Sequence, residues 1–288
     1  MRISAKSKLL GVTGYPIEHS LSPLMHNAAL EFLGLDYCYL PLPLRPEDLA
    51  KGIAGLKVLG FKGFNITIPH KEAIIALLDE LDVSAARVGA VNTVVRQAGK
   101  FIGFNTDGGG FLRSIRELWQ YEPNGQQVVL LGAGGAAKAV ATALAAEGVV
   151  GMTIANRDVA RAARLCEQLQ KNFTCRARAV HLLDPELDQA LAQSSLVVQT
   201  TPAGMFPELT AKPCIDTHRL LSHNLVYDLI FNPSETQFLA GARQQGCRTA
   251  NGLGMLLHQG AMALELWTGL PAPLDVMRGA LQDRLITL

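Results

Sequence analysis

The chain has 288 residues, of which 49% are hydrophobic, so it is long enough for about two globular domains. Its 26 basic and 25 acidic side chains leave a formal charge of +1, which argues against broad binding of nucleic acid or anionic membrane surfaces. The 27 glycines and the 6% aromatic content are typical of α/β proteins and disfavour an all-β sandwich.

The cysteines and the N-terminus bear on the compartment. The five cysteines are scattered and include no Cys-x-x-Cys pair, which indicates reduced thiols and neither a disulfide framework nor a zinc site. No apolar segment of signal length follows the basic N-terminal residues, and the most apolar helical stretch, 136–150, is interrupted by charged residues. We therefore expect a soluble, cytoplasmic protein without a metal, a nucleic-acid partner or a membrane partner. Whether it is a monomer or a homodimer stays open.

In the first part of the chain, short β-like runs alternate with helical patterns, which is typical of a parallel sheet with helices on its faces. Ser22 is predicted to cap a helix that begins at Pro23 and ends at Gly34. A second, amphipathic helix is predicted over 71–82. A turn that ends in Gly99 predicts a hairpin. The predicted strands are 8–13, 36–42, 61–68, 91–96 and 100–104.

The second part begins after Gly108-Gly109-Gly110, which we interpret as a hinge at a domain boundary. A helix is predicted from there to about Trp119, and another over 252–266. Between them a more regular series of strands is predicted, at 126–131, 152–155, 196–200, 225–229 and 247–250. The alternation predicts an α/β protein of two domains.

A glycine-rich loop, Gly132-Ala133-Gly134-Gly135-Ala136-Ala137, follows an apolar strand and precedes an alanine-rich helix. It fits the pattern G-x-G-x-x-A, in which one glycine permits a tight turn and the next lets the backbone approach a pyrophosphate. The helix N-terminus then offers free N–H groups to the anion. A glycine cluster alone would also fit a plain turn, but the strand–loop–helix setting favours a dinucleotide site.

About twenty residues past this loop, where such a site reads the ribose, the chain has Asn156-Arg157-Asp158. An arginine there suits a 2′-phosphate, so Arg157, with Arg161 one helical turn further on, favours NADP. Asp158 would repel that phosphate, which leaves NAD possible. The alternative for both arginines is the solvated start of a helix.

A candidate for chemistry follows the third predicted strand. Lys71 comes directly after Asn65-Ile66-Thr67-Ile68-Pro69-His70, at the strand end where α/β sheets gather ligands. Of the carboxylates that the topology brings near, Asp79, Asp82 and Asp107, we favour Asp107 because it is predicted to cap a helix at the domain junction. A Lys–Asp pair can exchange a proton with a substrate hydroxyl while a nicotinamide carries the hydride. A lysine by itself is more often a surface residue.

Together, several short segments give the chain a family resemblance. In order, these segments are 20–23, 65–71, 89–93, 105–108, 132–137, 156–157, 200–205 and 251–259. In this order and with these spacings they resemble the shikimate dehydrogenase family, over nearly the whole chain. The resemblance implies a two-domain enzyme that reversibly reduces 3-dehydroshikimate to shikimate with NADPH, in the biosynthesis of chorismate and the aromatic amino acids.

The resemblance also implies a division of labour within the chain. Residues 1–107 with 243–288 would form an α/β substrate-binding domain with a mostly parallel sheet, and residues 108–242 a Rossmann-type NADP-binding domain. Lys71 and Asp107 correspond to the family's catalytic pair, with Lys71 as the general acid during reduction and Asp107 orienting it.

The implied binding residues form two groups. The residues expected to bind substrate are Ser20, Ser22, Asn65, Thr67, Lys71, Asn92, Asp107 and Gln259, the two serines holding the carboxylate and the others the ring hydroxyls. The residues expected to bind cofactor are Gly132, Ala133, Gly134, Gly135, Ala136, Asn156, Arg157, Asp158, Arg161, Thr201, Gly252 and Met255. For each the simpler structural explanation, such as a helix cap or a turn, is the alternative.

The chain departs from the family pattern at three positions. Asp158 stands where threonine is usual, Gln199 where asparagine is usual, and Phe231 where a tyrosine near the substrate often follows the Asp228 strand. One alternative function is therefore a quinate or shikimate dehydrogenase that uses NAD or either cofactor, although Ser22 favours shikimate. The other is a non-catalytic ligand sensor, which would have no need of a Lys–Asp pair.

Overall fold

The computed structural model describes residues 3–286 and, within them, the side chains up to residue 283. This part of the chain divides into two compact units. The first unit contains the residues up to Gly110 together with those from Leu257 onward, and the second contains Phe111–Leu256. No helix among the described residues is long and apolar enough to cross a membrane.

Helices and strands alternate along most of the chain. The strands are β1 Lys8–Gly14, β2 Tyr37–Pro43, β3 Gly63–Ile66, β4 Glu80–Leu81, β5 Thr93–Gln97, β6 Lys100–Phe104, β7 Gln127–Leu131, β8 Gly151–Asn156, β9 Arg176–His181, β10 Leu196–Gln199, β11 Leu225–Asp228 and β12 Arg248–Ala250. The α-helices are α1 Ser22–Phe32, α2 Leu49–Val58, α3 Val83–Val88, α4 Asp107–Trp119, α5 Gly135–Ala146, α6 Val159–Asn172, α7 Glu186–Gln193, α8 Gln237–Gln244, α9 Leu253–Thr268 and α10 Leu274–Ile286.

The first unit contains a six-stranded sheet in the order β2-β1-β3-β5-β6-β4. Neighbouring strands are parallel except where β5 pairs with β3 and with β6. The hairpin between β5 and β6 turns through Ala98 and Gly99, which have φ angles of 48° and 82°, the positive values that tight hairpin turns need. The predictions of a mostly parallel sheet and of this hairpin are confirmed.

The second unit contains a six-stranded, fully parallel sheet in the order β12-β11-β10-β7-β8-β9. Its central strands are apolar because both faces are covered. In β7, Val128 and Leu130 pack in one buried cluster while Val129 and Leu131 pack in another, as the alternation of side chains along a strand requires. The strand order, which extends in both directions from β7, is that of a Rossmann-type fold. The predicted two-domain α/β fold class is confirmed.

Two features of the second sheet differ from expectation. Strand β9 is missing from the sequence prediction because it is an edge strand with the sequence Arg-Ala-Arg-Ala-Val-His, which lacks the apolar run that marks the central strands. The return of the chain to the first unit comes later than the expected position, 243. Strand β12 pairs with β11 and so extends the second sheet to Ala250.

The helix predicted over 71–82 is wrong. Residues Ala73–Leu77 form only a short 3-10 turn, and the chain then extends into β4. Asp79 is tied to β6 by two hydrogen bonds with Phe101, since its N–H donates to Phe101 O at 3.0 Å and its carboxylate accepts the N–H of Phe101 at 2.7 Å. Strand pairing with β6 therefore overrides the helical pattern of apolar residues.

The start of α1 also differs from the prediction. Ser22 is the first residue of the helix, the N-cap position is Leu21, and no side chain caps this end. The hydroxyl oxygen of Ser20 accepts the N–H of Ser22 at 3.3 Å. The predicted Ser22 cap is wrong, and the Ser22 hydroxyl is left for another partner.

The triple glycine lies inside a helix. Gly108–Gly110 belong to the first turn of α4, so they form no flexible loop there. A Cβ at Gly110 would lie 2.6 Å from the backbone nitrogen of Gln259 in α9, and a Cβ at Gly109 would lie 2.7 Å from the end of the Met262 side chain. Close packing of two helices, rather than the expected hinge, explains why Gly110 has no side chain.

Candidate active site

Lys71 and Asp107 form an ion pair in the first unit. Lys71 Nζ donates to Asp107 Oδ2 at 2.6 Å, and the two side chains are 21% and 7% exposed. Lys71 follows a tight turn in which the N–H of His70 donates to Thr67 O at 3.0 Å. The buried His70 ring is held by a hydrogen bond between Nε2 and Leu44 O at 2.7 Å. The turn therefore presents the ammonium group beside the first residue of α4, with part of it open to a ligand.

The Asp107 carboxylate is fixed from two sides. Its second oxygen, Oδ1, accepts a hydrogen bond from Asn92 Nδ2 at 2.8 Å. The backbone N–H of Asp107 donates to Asn105 Oδ1 at 3.1 Å, and Asn105 Nδ2 donates in turn to Ala90 O at 2.9 Å. Because each carboxylate oxygen has its own donor, the side chain is held in a single orientation toward Lys71.

Asn92 is the centre of the network around this pair. It is only 2% exposed. Its Oδ1 accepts from the N–H of Thr106 at 2.8 Å and from Thr93 Oγ1 at 3.1 Å. Its Nδ2 reaches Gln259 Oε1 at 3.3 Å in addition to Asp107. With both ends of its amide satisfied by the protein, Asn92 orients its neighbours, including Gln259.

Asn65 continues the network across the sheet. It lies opposite Thr93 in the β3–β5 pairing, so the two side chains share a face. Asn65 Nδ2 donates to Asn92 O at 3.1 Å and to Thr93 Oγ1 at 3.0 Å. Its Oδ1 accepts from the hydroxyl of Tyr39 at 2.6 Å. Burial raises the pKa of the Tyr39 phenol well above its ordinary value, and a hydrogen bond with Ser22 opposes that rise.

The first unit therefore joins nearly all of the residues expected to bind substrate in one hydrogen-bonded network. The members are Ser20, Ser22, Asn65, Lys71, Asn92, Asp107 and Gln259. Thr67 lies just past β3, where its N–H donates to Thr13 O at 2.9 Å. The absence of a side chain at Gly14 makes room for Thr67, since a Cβ there would lie 2.3 Å from Thr67 Cγ2.

The sequence prediction misses several members of this network. Thr93 and Thr106 stand inside the motifs quoted above, beside Asn92 and Asp107, and could have been found from that position. Tyr39 gives no local signal. It is an aromatic residue inside a strand, a common place for one, and only the order of the strands brings it to Asn65.

The glycine-rich loop lies in the second unit, between β7 and α5. Gly132 has a φ of +114° and its N–H donates to Ala155 O at 2.8 Å. A Cβ on Gly132 would lie 2.5 Å from Thr200 Oγ1 and 2.9 Å from Thr201 Cγ2. Glycine is therefore required at this position both by its backbone conformation and by the strand-end loop that approaches it.

The following glycines leave the N-terminus of α5 open. Gly134 is the N-cap of the helix without a side-chain cap. A Cβ at Gly135 would meet nothing within 4 Å, and one at Gly134 would meet only the Arg161 guanidinium at 4.0 Å. Exposed backbone N–H groups with a cation beside them suit a pyrophosphate. Ala133, Gly134, Gly135 and Ala136 thus fit the phosphates of a dinucleotide, as the sequence suggests.

The residues expected to read the ribose stand at the end of β8. Asn156 Nδ2 donates to Asp158 O at 2.9 Å. Asp158 is the N-cap of α6, and its carboxylate accepts the N–H of Arg161 at 3.1 Å. The side chain of Arg157 is exposed. The Asp158 carboxylate is thus engaged at the helix start, while the Arg157 guanidinium is accessible to a phosphate.

The side chain of Gln199 holds the loop that carries Thr201. Gln199 is fully buried, its Oε1 accepts the N–H of Thr201 at 2.7 Å, and its Nε2 donates to Thr201 O at 3.1 Å. Gln199, the departure from asparagine at this position, therefore clamps the loop through its side chain. Thr201 in turn lies against Gly132.

The two remaining residues of the expected cofactor site are packed closely. A Cβ at Gly252 would lie 2.0 Å from Leu229 O, so the backbone can approach the residue after β11 only without a side chain. The N–H of Met255 donates to Tyr227 Oη at 3.1 Å, and the Met255 side chain is 9% exposed within the core of the unit. Little of Met255 is therefore open to a ligand.

A buried carboxylate lies near the third departure from the family pattern. Asp228 accepts hydrogen bonds from Thr236 Oγ1 at 2.7 Å and from the N–H of Ile230 at 3.0 Å. Burial raises the pKa of Asp228 to about 6. The hydrogen bonds fix the turn that carries Phe231, a half-exposed residue.

Three family models match the chain. The model described as "Shikimate dehydrogenase substrate binding domain" matches residues 12–94, and "Shikimate / quinate 5-dehydrogenase" matches residues 117–210. "Shikimate 5'-dehydrogenase C-terminal domain" matches residues 252–282. The first match includes Lys71 and Asn92, and the second includes the glycine-rich loop.

Known proteins are similar to the chain over nearly its whole length. It is 47% identical to the shikimate dehydrogenase (NADP(+)) of Methanopyrus kandleri over 283 residues, 98% of each chain. It is 36% identical to shikimate 5-dehydrogenase from Listeria monocytogenes in complex with shikimate and NAD, with a TM-score of 0.91 and 98% of each chain covered. It is also 36% identical to shikimate 5-dehydrogenase from Thermus thermophilus in complex with NADP(H) and shikimate, with a TM-score of 0.85, over 96% of this chain and 99% of that one.

Proposed function

Because the chain belongs to the shikimate dehydrogenase family, we propose that it is an oxidoreductase that reversibly reduces 3-dehydroshikimate to shikimate with NADPH. This reaction belongs to the biosynthesis of chorismate and the aromatic amino acids. A cytoplasmic location and a monomeric or homodimeric state are further expectations of the proposal. The five cysteines are free, which is compatible with that location.

The observation that carries the proposal is the Lys71–Asp107 pair within a network of amides and hydroxyls. The ammonium group of Lys71 is the proton donor of this network. Asp107 holds it at 2.6 Å, and Asn92 in turn holds the Asp107 carboxylate at 2.8 Å. A substrate with several hydroxyls needs donors and acceptors in fixed directions, which Asn65 and Gln259 supply. Ser20 and Ser22 provide uncharged hydroxyl groups for its carboxylate.

The proton transfer follows from the position of Lys71. When bound, NADPH supplies the hydride that reduces the C3 carbonyl carbon. Lys71 Nζ–H donates a proton to the oxygen that becomes the C3 hydroxyl, which leaves a neutral amine. The Asp107 carboxylate aligns the ammonium group before the transfer. In the oxidation of shikimate, the neutral amine of Lys71 takes the hydroxyl proton back.

Residues that fit the phosphates of the cofactor support its binding to the second unit. The open N-terminus of α5 suits the pyrophosphate, and the exposed guanidinium of Arg157, with Arg161 beside the loop, suits the 2′-phosphate of NADP. The engagement of Asp158 as a helix cap supports NADP as the preferred cofactor.

The decisive experiment is a comparison of kcat/KM for shikimate and quinate with NADP+ and NAD+, four combinations in all. The proposal expects the highest value for shikimate with NADP+. If kcat/KM for quinate with NAD+ exceeded the value for shikimate with NADP+, the chain would instead be a quinate dehydrogenase. If 3-dehydroshikimate binds and the NADPH absorbance stays constant, the chain is a ligand sensor.

A further inference from the structure

The phenol of Tyr39 is a buried polar group of the substrate network. Its side chain is 1% exposed and its hydroxyl donates to Asn65 Oδ1 at 2.6 Å. Its backbone is clamped by one side chain, since Asn27 Nδ2 donates to Tyr39 O and Asn27 Oδ1 accepts the N–H of Tyr39, both at 2.9 Å. The position of the ring along the strand is therefore fixed.

Neighbouring rings fix its orientation as well. The Tyr39 ring stacks on His26, with centroids 4.4 Å apart and an angle of 19° between the planes. Trp267 lies 5.8 Å away and donates its indole N–H to Val94 O at 2.9 Å. Trp267 occupies the space over Gly63, where a Cβ would lie 2.2 Å from Trp267 Nε1. The Tyr39 hydroxyl is thus held at the Asn65 amide by the packing of His26 and Trp267 around its ring.

The direction of the proton between the two residues is determined. Asn65 Nδ2 places its two hydrogens on Asn92 O and Thr93 Oγ1, so the atom that faces Tyr39 is the carbonyl oxygen. That oxygen can only accept, and Tyr39 must donate. An amide oxygen has two lone pairs, so one remains for a ligand. Asn65 can therefore offer a ligand an acceptor, while both of its N–H groups are already used.

We propose that Tyr39 is a positioning residue that holds Asn65 as an acceptor for one ring hydroxyl of the substrate. The inference rests on the proposed function. An acceptor directed at the reacting oxygen would repel the carbonyl of the oxidised substrate. The hydroxyl that Asn65 binds is therefore one that both 3-dehydroshikimate and shikimate carry. The contact strengthens the binding of these two compounds equally.

The test is Tyr39→Phe, which removes the hydroxyl and keeps the ring. Tyr121→Phe, in the second unit, is a control for the loss of a phenol hydroxyl, since Tyr121 Oη makes a side-chain hydrogen bond to Ser195 Oγ at 2.8 Å. For Tyr39→Phe we expect the KM for shikimate and for 3-dehydroshikimate to rise about tenfold, the effect of losing one buried hydrogen bond, with kcat and the KM for NADP+ unchanged. Tyr121→Phe should change none of these.

Shikimate analogues that each lack one ring hydroxyl separate this role from a structural one. In the wild-type protein, each deletion weakens binding. In Tyr39→Phe, deletion of the hydroxyl read by Asn65 should weaken binding much less than it does in the wild type. Deletion of any other ring hydroxyl should weaken binding equally in the two proteins. The proposal would be overturned if each deletion weakened binding equally in the wild type and in Tyr39→Phe, or if the KM for shikimate were unchanged in Tyr39→Phe.

Calorimetric binding of shikimate to both variants measures the same effect without turnover. A wild-type chain that binds shikimate but does not oxidise it would refute the proposed function, and the calorimetric comparison would still decide the role of Tyr39. Thermal unfolding of each variant shows that it is folded at the assay temperature.

Discussion

Lys71 Nζ donates to Asp107 Oδ2 at 2.6 Å, and this contact joins the turn after β3 to the first residue of α4. The residues are 36 positions apart in the chain. The amide of Asn92 holds the other carboxylate oxygen, so the ammonium group faces a carboxylate that cannot rotate away. A proton donor fixed in this way loses little of its effect to alternative rotamers.

Replacement of Lys71 tests the proton transfer. Lys71→Ala should lower kcat about 100- to 10,000-fold, the usual contribution of a general acid, and should raise the KM for shikimate far less, because the proton moves only in the transition state. Lys57→Ala is a control, since Lys57 forms an ion pair of similar length, 2.7 Å, with Asp79 at the surface. A larger effect of Lys71→Ala on KM than on kcat would reassign Lys71 to binding.

The neighbouring glycines of α4 give a test of helix packing. Gly110→Ala should lower the free energy of unfolding by at least about 2 kcal/mol, because the new Cβ would lie 2.6 Å from the backbone of Gln259, and the KM for shikimate should rise as Gln259 shifts. Gly109→Ala meets only the flexible end of Met262 and should change stability by less than about 1 kcal/mol. Denaturant unfolding measures both, and equal losses would show that close approach is not the reason for Gly110.

Cofactor selectivity can be tested at Arg157. Arg157→Ala should lower kcat/KM for NADP+ about 10- to 100-fold, the effect of losing charge-assisted hydrogen bonds to a phosphate, and should leave the value for NAD+ nearly unchanged. Asp158→Ser keeps a residue that can cap α6 and removes the charge, so it should favour NADP+ only a few-fold. Steady-state kinetics with both cofactors measure the ratio, and a parallel loss with NAD+ would place Arg157 outside the 2′-phosphate site.

Acid should destabilise the chain through His26. The ring is fully buried, and neither nitrogen has a hydrogen-bond partner among the described residues. Burial lowers the pKa of His26 from 6.5 to about 3. Between these pH values the unfolded chain binds a proton at His26 that the folded chain does not. The free energy of unfolding is therefore unaffected by this titration above pH 6.5 and decreases as the pH falls from 6.5 toward 3.

His26→Leu removes that titration. Between pH 7.5 and pH 5, the wild-type chain should lose about 2 kcal/mol more free energy of unfolding than His26→Leu. The substitution of an exposed histidine, His223→Gln, should leave the wild-type loss in place. Urea unfolding at the two pH values measures the difference, and identical pH dependence of the wild-type chain and His26→Leu would contradict the assignment.

Much of the candidate site could be predicted because it depends on short motifs. The glycine-rich loop is recognisable from the strand before it and the helix after it, and its geometry is local to Gly132–Gly135. Asp107 could be selected as the partner of Lys71 because it is predicted to cap a helix at the domain junction; in the structure it is the first residue of α4. The predictions that failed are those where a distant segment competes with a local pattern. Residues 71–82 have the spacing of a helix, but pairing with β6 satisfies their backbone in another way.

The sequence by itself determined the α/β class, the two-domain composition and the residue types that carry the chemistry, because periodicity and glycine placement act over a few neighbouring residues. Only the tertiary structure decided which of these residues contact one another. Tyr39 reaches Asn65 because a single strand, β1, lies between β2 and β3. Asn92 reaches Asp107 because β5 is antiparallel to both of its neighbours. Such contacts depend on strand order and register, which are set by the burial of whole sheets and not by any local pattern.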